Sequence, residues 1–285
     1  MTSRITQLGK QLFTMAQKTK TDITLYTTNT PNGIKPSILL EELNLEYKVY
    51  PIKMTENEQK EEWFLKINPN GRIPALTDTL DGKQIRVFES GAMLQYLVDR
   101  YDKDHKLSFP HGSAEHWEMT SWLMWQMGGL GPMQGQANHF KRYAPEKIEY
   151  GINRYTNETR RLYRTLDTHL AQTSSGYIVG DKVTIADISI WGWVSSASKS
   201  LCSPTSPPPF PNTQTEWAGV DLSEFPHLEK WLYKLLERPG FEAGRHVPTR
   251  HTAFELAKLS EEELEAKASA SKAWVQSGMK EDAKK

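Results

Sequence analysis

The residues with reactive side chains fall into none of the common catalytic spacings. Eight histidines are scattered through the 285 residues. None stands in the His-Glu-x-x-His or paired Cys/His arrangement that gathers ligands round a metal ion, so no metal is expected. Gly128-Gly129-Leu130-Gly131-Pro132 is glycine-rich but lacks the Lys-Ser/Thr of a phosphate loop, and Pro132 removes an amide donor; the run is expected to break a helix. No Gly-x-Ser-x-Gly elbow presents a serine. Cys202 is the single cysteine, which rules out a Cys-x-x-Cys dithiol and an internal disulfide and points to a reducing compartment, the cytoplasm. Polar groups at turns and helix starts remain: Thr30 and Asn32 in Thr30-Pro31-Asn32-Gly33, Arg72 beside Ile73-Pro74, and Glu89-Ser90 ahead of an apolar helix. From their types alone these read as turn and cap residues. Catalysis by a nucleophile of the protein itself is not expected.

The elements that must position these groups form two domains. Lys and Arg total 35 and Asp and Glu 35, so no net field draws nucleic acid or anionic lipid. The chain is 38% hydrophobic, as globular proteins are, and no run of about 20 apolar residues suggests a membrane span. Residues 1–21 carry Arg4, Lys10, Lys18 and Lys20 without an acid. They read as a frayed extension or as an acid-poor targeting segment, but not as a secretory signal, since the apolar h-region is missing. From 22 to 104 strand-like and helix-like segments alternate: a strand at Ile23–Tyr26, a helix from Ile34, a strand at Tyr47–Ile52, a helix at Glu58–Lys66, a hairpin across Asp81-Gly82, and a helix after Ser90. The order βαβαββα describes a small α/β domain.

Residues 112–245 turn all-helical. Ile148, Ile152, Tyr155, Leu162, Leu166 and Leu170 keep one face apolar, as do Phe225, Leu228, Trp231, Leu232 and Leu235 in a later helix. Thr184-Ile185-Ala186-Asp187 is a capping-box variant before an apolar stretch. Five prolines between Ser203 and Pro211 fit a stiff surface loop better than a polyproline ligand. The tail over 246–285 alternates Glu and Lys beyond Leu256 and reads as a solvated helix or a frayed end.

Taken together, this order of elements and the wording of four motifs resemble a glutathione transferase. Thr30-Pro31-Asn32-Gly33, Asn68-Pro69-Asn70-Gly71-Arg72-Ile73-Pro74-Ala75-Leu76, Phe88-Glu89-Ser90-Gly91-Ala92 and Trp125-Gln126-Met127-Gly128-Gly129-Leu130-Gly131-Pro132-Met133 look like the Nu-class and fungal nitrogen-regulator-like branch, over about residues 22–245. That branch includes glutathione-dependent disulfide-bond oxidoreductases and the yeast nitrogen-catabolite regulator. The resemblance implies a thioredoxin-like N-terminal domain, an all-α C-terminal domain and a homodimer. It implies no metal, with glutathione as co-substrate and a small disulfide or electrophile as partner. The alternative is a regulatory binding protein of the same fold with little activity.

The resemblance also implies site roles. Thr30 and Asn32 would meet the glutathione sulfur near the positive end of the first helix, an environment that lowers a thiol pKa from about 8.5. Ser90 and the adjacent helix amides would hold the γ-glutamyl carboxylate, and Glu89 its ammonium. Ile73, turned by a cis bond to Pro74, would offer its backbone to the ligand; Arg72 would meet the glycine carboxylate. Gln59 and Arg154 match residues that touch glutathione in bacterial relatives. The second-substrate cleft would lie near Trp117, Trp122, Trp125 and Phe140, and tryptophans at these spacings read equally well as core.

Overall fold

The computed structural model describes residues 17–197, 217–256 and 259–282. Cys202, the Ser203–Pro211 proline cluster and most of the N-terminal extension lie outside the described residues.

Four strands form one mixed sheet in the order β2-β1-β3-β4: β1 Thr19–Thr27, β2 Leu45–Pro51, β3 Ala75–Leu80 and β4 Lys83–Phe88. β1 runs parallel to β2 and antiparallel to β3, which pairs antiparallel with β4. Period-2 alternation turns Ile23, Leu25 and Thr27 of β1 inward. Asp81 and Gly82 both adopt positive φ, +51° and +74°, the geometry a two-residue hairpin needs. Helix α1 (Ile34–Glu42) crosses from β1 to β2, and α3 (Ser90–Tyr101) follows β4. Between β2 and β3 the expected helix over Glu58–Lys66 is instead two tight turns, Met54–Glu56 and Glu58–Lys60, and a single-turn α2, Glu62–Leu65. Asn57, left-handed at φ +57°, and the extended Glu61 interrupt it.

The second half is helical: α4 Ala114–Trp125, α5 Gly131–Asn138, α6 Glu149–Gln172, α7 Ile185–Ala197, α8 Pro226–Leu236, α9 Pro239–Gly244, α10 Ala253–Leu256 and α11 Glu261–Asp282. Gly128-Gly129 does not break the helix, contrary to expectation. Residues Gln126–Leu130 form a widened π turn that runs on into α5, and Pro132 falls in the first turn of α5, where a proline's missing amide leaves no bond unmade. Helix α7 lies at the centre, with Ile185, Ile188, Ile190, Trp191 and Val194 all buried. Its cap is as the sequence pattern predicts in outline: the buried Asp187 carboxylate accepts from the Thr184 amide (2.9 Å), and Thr184 Oγ1 accepts from the Ala186 amide. Asp187 also accepts from Ile178 N and from Trp231 Nε1 at 2.9 Å, joining three segments.

Among the contacts that fix the helical half on the sheet half, two bear on the site. A Cβ at Gly192 of α7 would stand 2.3 Å from the Pro31 carbonyl, so only glycine allows α7 to reach the turn before α1. The tail departs from the solvated reading. Leu264 and Ala268 of α11 are buried. The buried Arg142 guanidinium pairs with Glu261 and Glu265, Gln276 Nε2 donates to the Tyr143 carbonyl (3.0 Å), and Trp274 Nε1 donates to Asn57 Oδ1 (3.1 Å). Helix α11 therefore straps the helical half to the loop between β2 and β3.

Candidate functional site

The site grows from the turn between β1 and α1. Thr30 Oγ1 accepts from the Gly33 amide (3.0 Å), while Thr27 Oγ1 donates to the Gly33 carbonyl. These bonds hold Pro31-Asn32 at the positive end of α1. Asn32 Oδ1 accepts from Trp193 Nε1 of α7 at 2.9 Å. An indole nitrogen can only donate, so this bond fixes which way the Asn32 amide faces and leaves its NH2 group as a donor.

Asn32, Arg72 and Glu89 line a single cavity of about 580 Å3, together with Gln126, Met127, Gln136, His139, Tyr143, Trp193 and the α11 residues Val275 and Met279. That volume is ordinary for a small-ligand site. Arg72 is exposed at its edge, and its carbonyl is held by Asn68 Nδ2 at 2.7 Å. The Ile73-Pro74 bond is cis. Ile73 itself packs against Ile52, Phe64 and Ala75. Glu89 sits at φ +68°, a conformation rarely taken by a non-glycine residue and one that clusters at ligand sites. Ser90 follows as the first residue of α3, 3% exposed, with Lys35 Nζ 3.3 Å behind its hydroxyl.

The remaining expected residues are less close. Thr30 lines a second, smaller cavity of about 220 Å3 with Asn29, Asn138 and His251. Gln59 is buried; its Nε2 lies 3.5 Å from Asn57 Oδ1, and its Oε1 has no partner among the described residues. Arg154 is exposed on α6 and lies outside the cavity lining.

Of the two readings of the tryptophans, the core one holds for Trp122 and Trp125, and the aromatic wall lies elsewhere. Trp122 and Trp125 pack against the core, Trp117 is exposed, and Phe140 stacks on Tyr155. The wall is made by Trp193, Tyr143, His139, Val275 and Met279. Sequence reasoning also missed Lys35 and Gln126. Lys35 lies on the otherwise apolar side of α1, a signal available in the sequence; Gln126 sits within a motif already singled out. Among the described residues no three His, Cys, Asp or Glu side chains converge to hold a metal ion, and no helix is long and apolar enough to cross a membrane.

A sheet of this order, a cis-proline loop, an acid–serine helix start and an α-helical second half define the class. Residues 21–99 match the glutathione S-transferase N-terminal domain family and residues 137–243 its C-terminal domain family. The chain belongs to the glutathione S-transferases. It is 36% identical over 234 residues to the disulfide-bond oxidoreductase YghU of Escherichia coli, covering 80% of this chain and 75% of that protein. A glutathione transferase homologue from Lodderomyces elongisporus, solved with two glutathiones per subunit, is 41% identical with a TM-score of 0.69, over 80% of this chain and 99% of its own. The transferase URE2P6 of Phanerochaete chrysosporium, solved with oxidised glutathione, is 40% identical with a TM-score of 0.68, over 79% and 94%.

Proposed function

We propose that the protein holds glutathione as its thiolate and uses it to reduce small disulfides. The observation that carries the reading is the oriented Asn32 amide, whose NH2 is left as a donor at the positive end of α1 in one cavity with Arg72 and Glu89. A thiolate placed there gains a hydrogen bond and a favourable helix end, both of which lower its pKa. Two features suit the peptide ends. Exposed Arg72 offers a cation to the glycine carboxylate, and Ser90 with the α3 amides offers donors to the γ-glutamyl carboxylate.

The chemistry balances without a protein thiol. The bound thiolate attacks one sulfur of RSSR, the S–S bond breaks, and RS⁻ leaves with the pair of electrons and takes a proton. A second glutathione then attacks the mixed disulfide, giving oxidised glutathione and RSH. Similarity to YghU, named a disulfide-bond oxidoreductase, and to URE2P6 with its oxidised glutathione supports this chemistry over conjugation. The protein is proposed to act in the cytoplasm, in keeping with its single cysteine, and as a homodimer. Trp117 and Met124, seven residues apart on one face of α4, are exposed apolar surface of the kind a second copy covers.

Glutathione-coupled reduction of a dialkyl disulfide, with haloaromatic conjugation as control, tests the assignment. Strong disulfide turnover with weak conjugation is expected. Oxidised glutathione formed no faster than in the uncatalysed mixture would overturn it.

A further inference from the structure

Lys35 is fully buried, yet it faces no carboxylate within ion-pair distance among the described residues. Its Nζ points at three neutral acceptors: Gln126 Oε1 at 2.6 Å, Ser90 Oγ at 3.3 Å and Met127 Sδ at 3.8 Å. Gln126 Oε1 is shared with Ser189 Oγ of α7 at 2.7 Å. Around the ammonium lie Gln126 and Met127 of the π turn and Ser90 of α3, with Ser189 of α7 on the same Gln126 oxygen, while Gly192 of α7 packs beside the Lys35 stem; the charged group acting on it is Glu89, at the start of α3. Burial pushes Lys35 well below the ordinary lysine value, and Glu89 offsets part of that. A dry cation without a counter-ion is costly, and one lying directly behind a serine at a helix start is placed for an anion arriving from the other side.

We infer that Lys35 supplies the counter-charge for the α-carboxylate at the γ-glutamyl end of glutathione, acting through Ser90 and making binding proton-linked. The inference deepens the glutathione reading and rests on it. Lys35 is a positioning residue. Its N–H donates to Ser90 Oγ, which commits the hydroxyl hydrogen outward. In the free protein that hydrogen faces Met127 Sδ at 3.5 Å, a weak acceptor; in the complex it donates to the carboxylate. Two donors in series polarise one another, so the ammonium is felt at the ligand without touching it. A carboxylate held there favours the charged lysine, so the pKa of Lys35 rises on binding. Where the pH lies above its free-state value, binding takes up a proton, and affinity falls as the pH rises.

Calorimetric titration with S-methylglutathione, which has no titrating thiol, tests this on the full chain at several pH values and in two buffers of different ionisation enthalpy. Wild type is expected to take up protons on binding. Lys35→Met, close in shape, should bind about 10- to 100-fold more weakly and lose that uptake. Without ligand it should melt no lower than wild type, since it removes a buried amine that faces no carboxylate among the described residues. Lys35→Arg, permanently charged, should recover much of the affinity without the uptake. An analogue whose γ-glutamyl group lacks the α-carboxylate should bind wild type and Lys35→Met alike. Unchanged affinity and proton uptake in Lys35→Met, or an equal loss for both ligands, overturns the inference and leaves the glutathione reading standing. Failure of wild type to bind S-methylglutathione overturns both.

Discussion

Replacing Trp193 by phenylalanine tests how the two halves of the molecule cooperate on one thiol. The substitution keeps an aromatic ring and deletes the N–H that donates to Asn32 Oδ1 at 2.9 Å. Without it the Asn32 amide has no reason to keep its NH2 toward the cavity rather than its oxygen. The donor itself, bonded to a thiolate, is a charge-assisted bond of about 1.5–3 kcal/mol. At 1.36 kcal/mol per pKa unit, Asn32→Ala should raise the pKa of bound glutathione by about 1–2. The orienting bond is neutral, about 0.5–1.5 kcal/mol, so Trp193→Phe should raise that pKa by about 0.4–1. Titrating the ultraviolet absorbance of the bound thiolate reads both values directly. Below the thiol pKa, disulfide turnover should fall by about 2- to 10-fold in the tryptophan variant, in step with the lost thiolate. In an Asn32→Ala background the tryptophan change should add nothing, because the group it orients is gone. A pKa that stays put in Trp193→Phe while rising in Asn32→Ala would refute the orienting role; equal effects with and without Asn32 would show that Trp193 acts by packing.

Four other outcomes are expected. Arg72→Ala should weaken glutathione binding by up to about fivefold, the scale of an exposed ion pair, and should leave binding of γ-glutamylcysteine, which lacks the glycine carboxylate, unchanged in a calorimetric comparison. Asp187→Ala strands the Ile178 and Thr184 amides and the Trp231 indole in the core; at about 1–3 kcal/mol for each unsatisfied group, chemical denaturation should show a loss of several kcal/mol, with Asp187→Asn losing less. His251, held neutral by burial and next by the charge of Arg245, has its pKa lowered to about 4 from 6.5. The unfolded chain therefore binds the extra proton first, so stability is intact above pH 6.5 and should fall by about 3 kcal/mol on acidification to pH 4, a slope that His251→Phe should flatten in urea titrations. Removing the α11 ties with Trp274→Phe and Gln276→Ala deletes two hydrogen bonds, about 2 kcal/mol together and so about 30-fold in the strap's open-to-closed ratio; stopped-flow release of S-methylglutathione should quicken, and an unchanged rate would mean that α11 does not gate the cavity.

Most of the first half was legible in the sequence because its signals are local. Period-2 apolar residues set β1, Asp81-Gly82 set the hairpin, and Thr30-Pro31-Asn32-Gly33 ended a strand and opened α1; in the second half, Thr184 with Asp187 capped α7. Where local signals compete, the reading failed. The helix expected over Glu58–Lys66 gave way to turns at Asn57, which tolerates the left-handed region, and the double glycine after Gln126 widened a helix instead of ending it.

The sequence by itself determined which groups stand at which element starts: a turn of Thr30 and Asn32 before one helix, Glu89-Ser90 before another, an arginine beside Ile73-Pro74, and no thiol pair of its own. Tertiary structure alone decided what holds those groups. Trp193 lies 161 positions from Asn32, and Lys35 meets Ser90 and Gln126 from 55 and 91 positions away. The cavity's outer wall comes from Val275 and Met279, in a tail whose alternating charges read as solvated. No periodicity encodes such contacts. They exist because α7 packs through Gly192 onto Pro31, and because Arg142, Tyr143 and Asn57 together hold α11 across the opening.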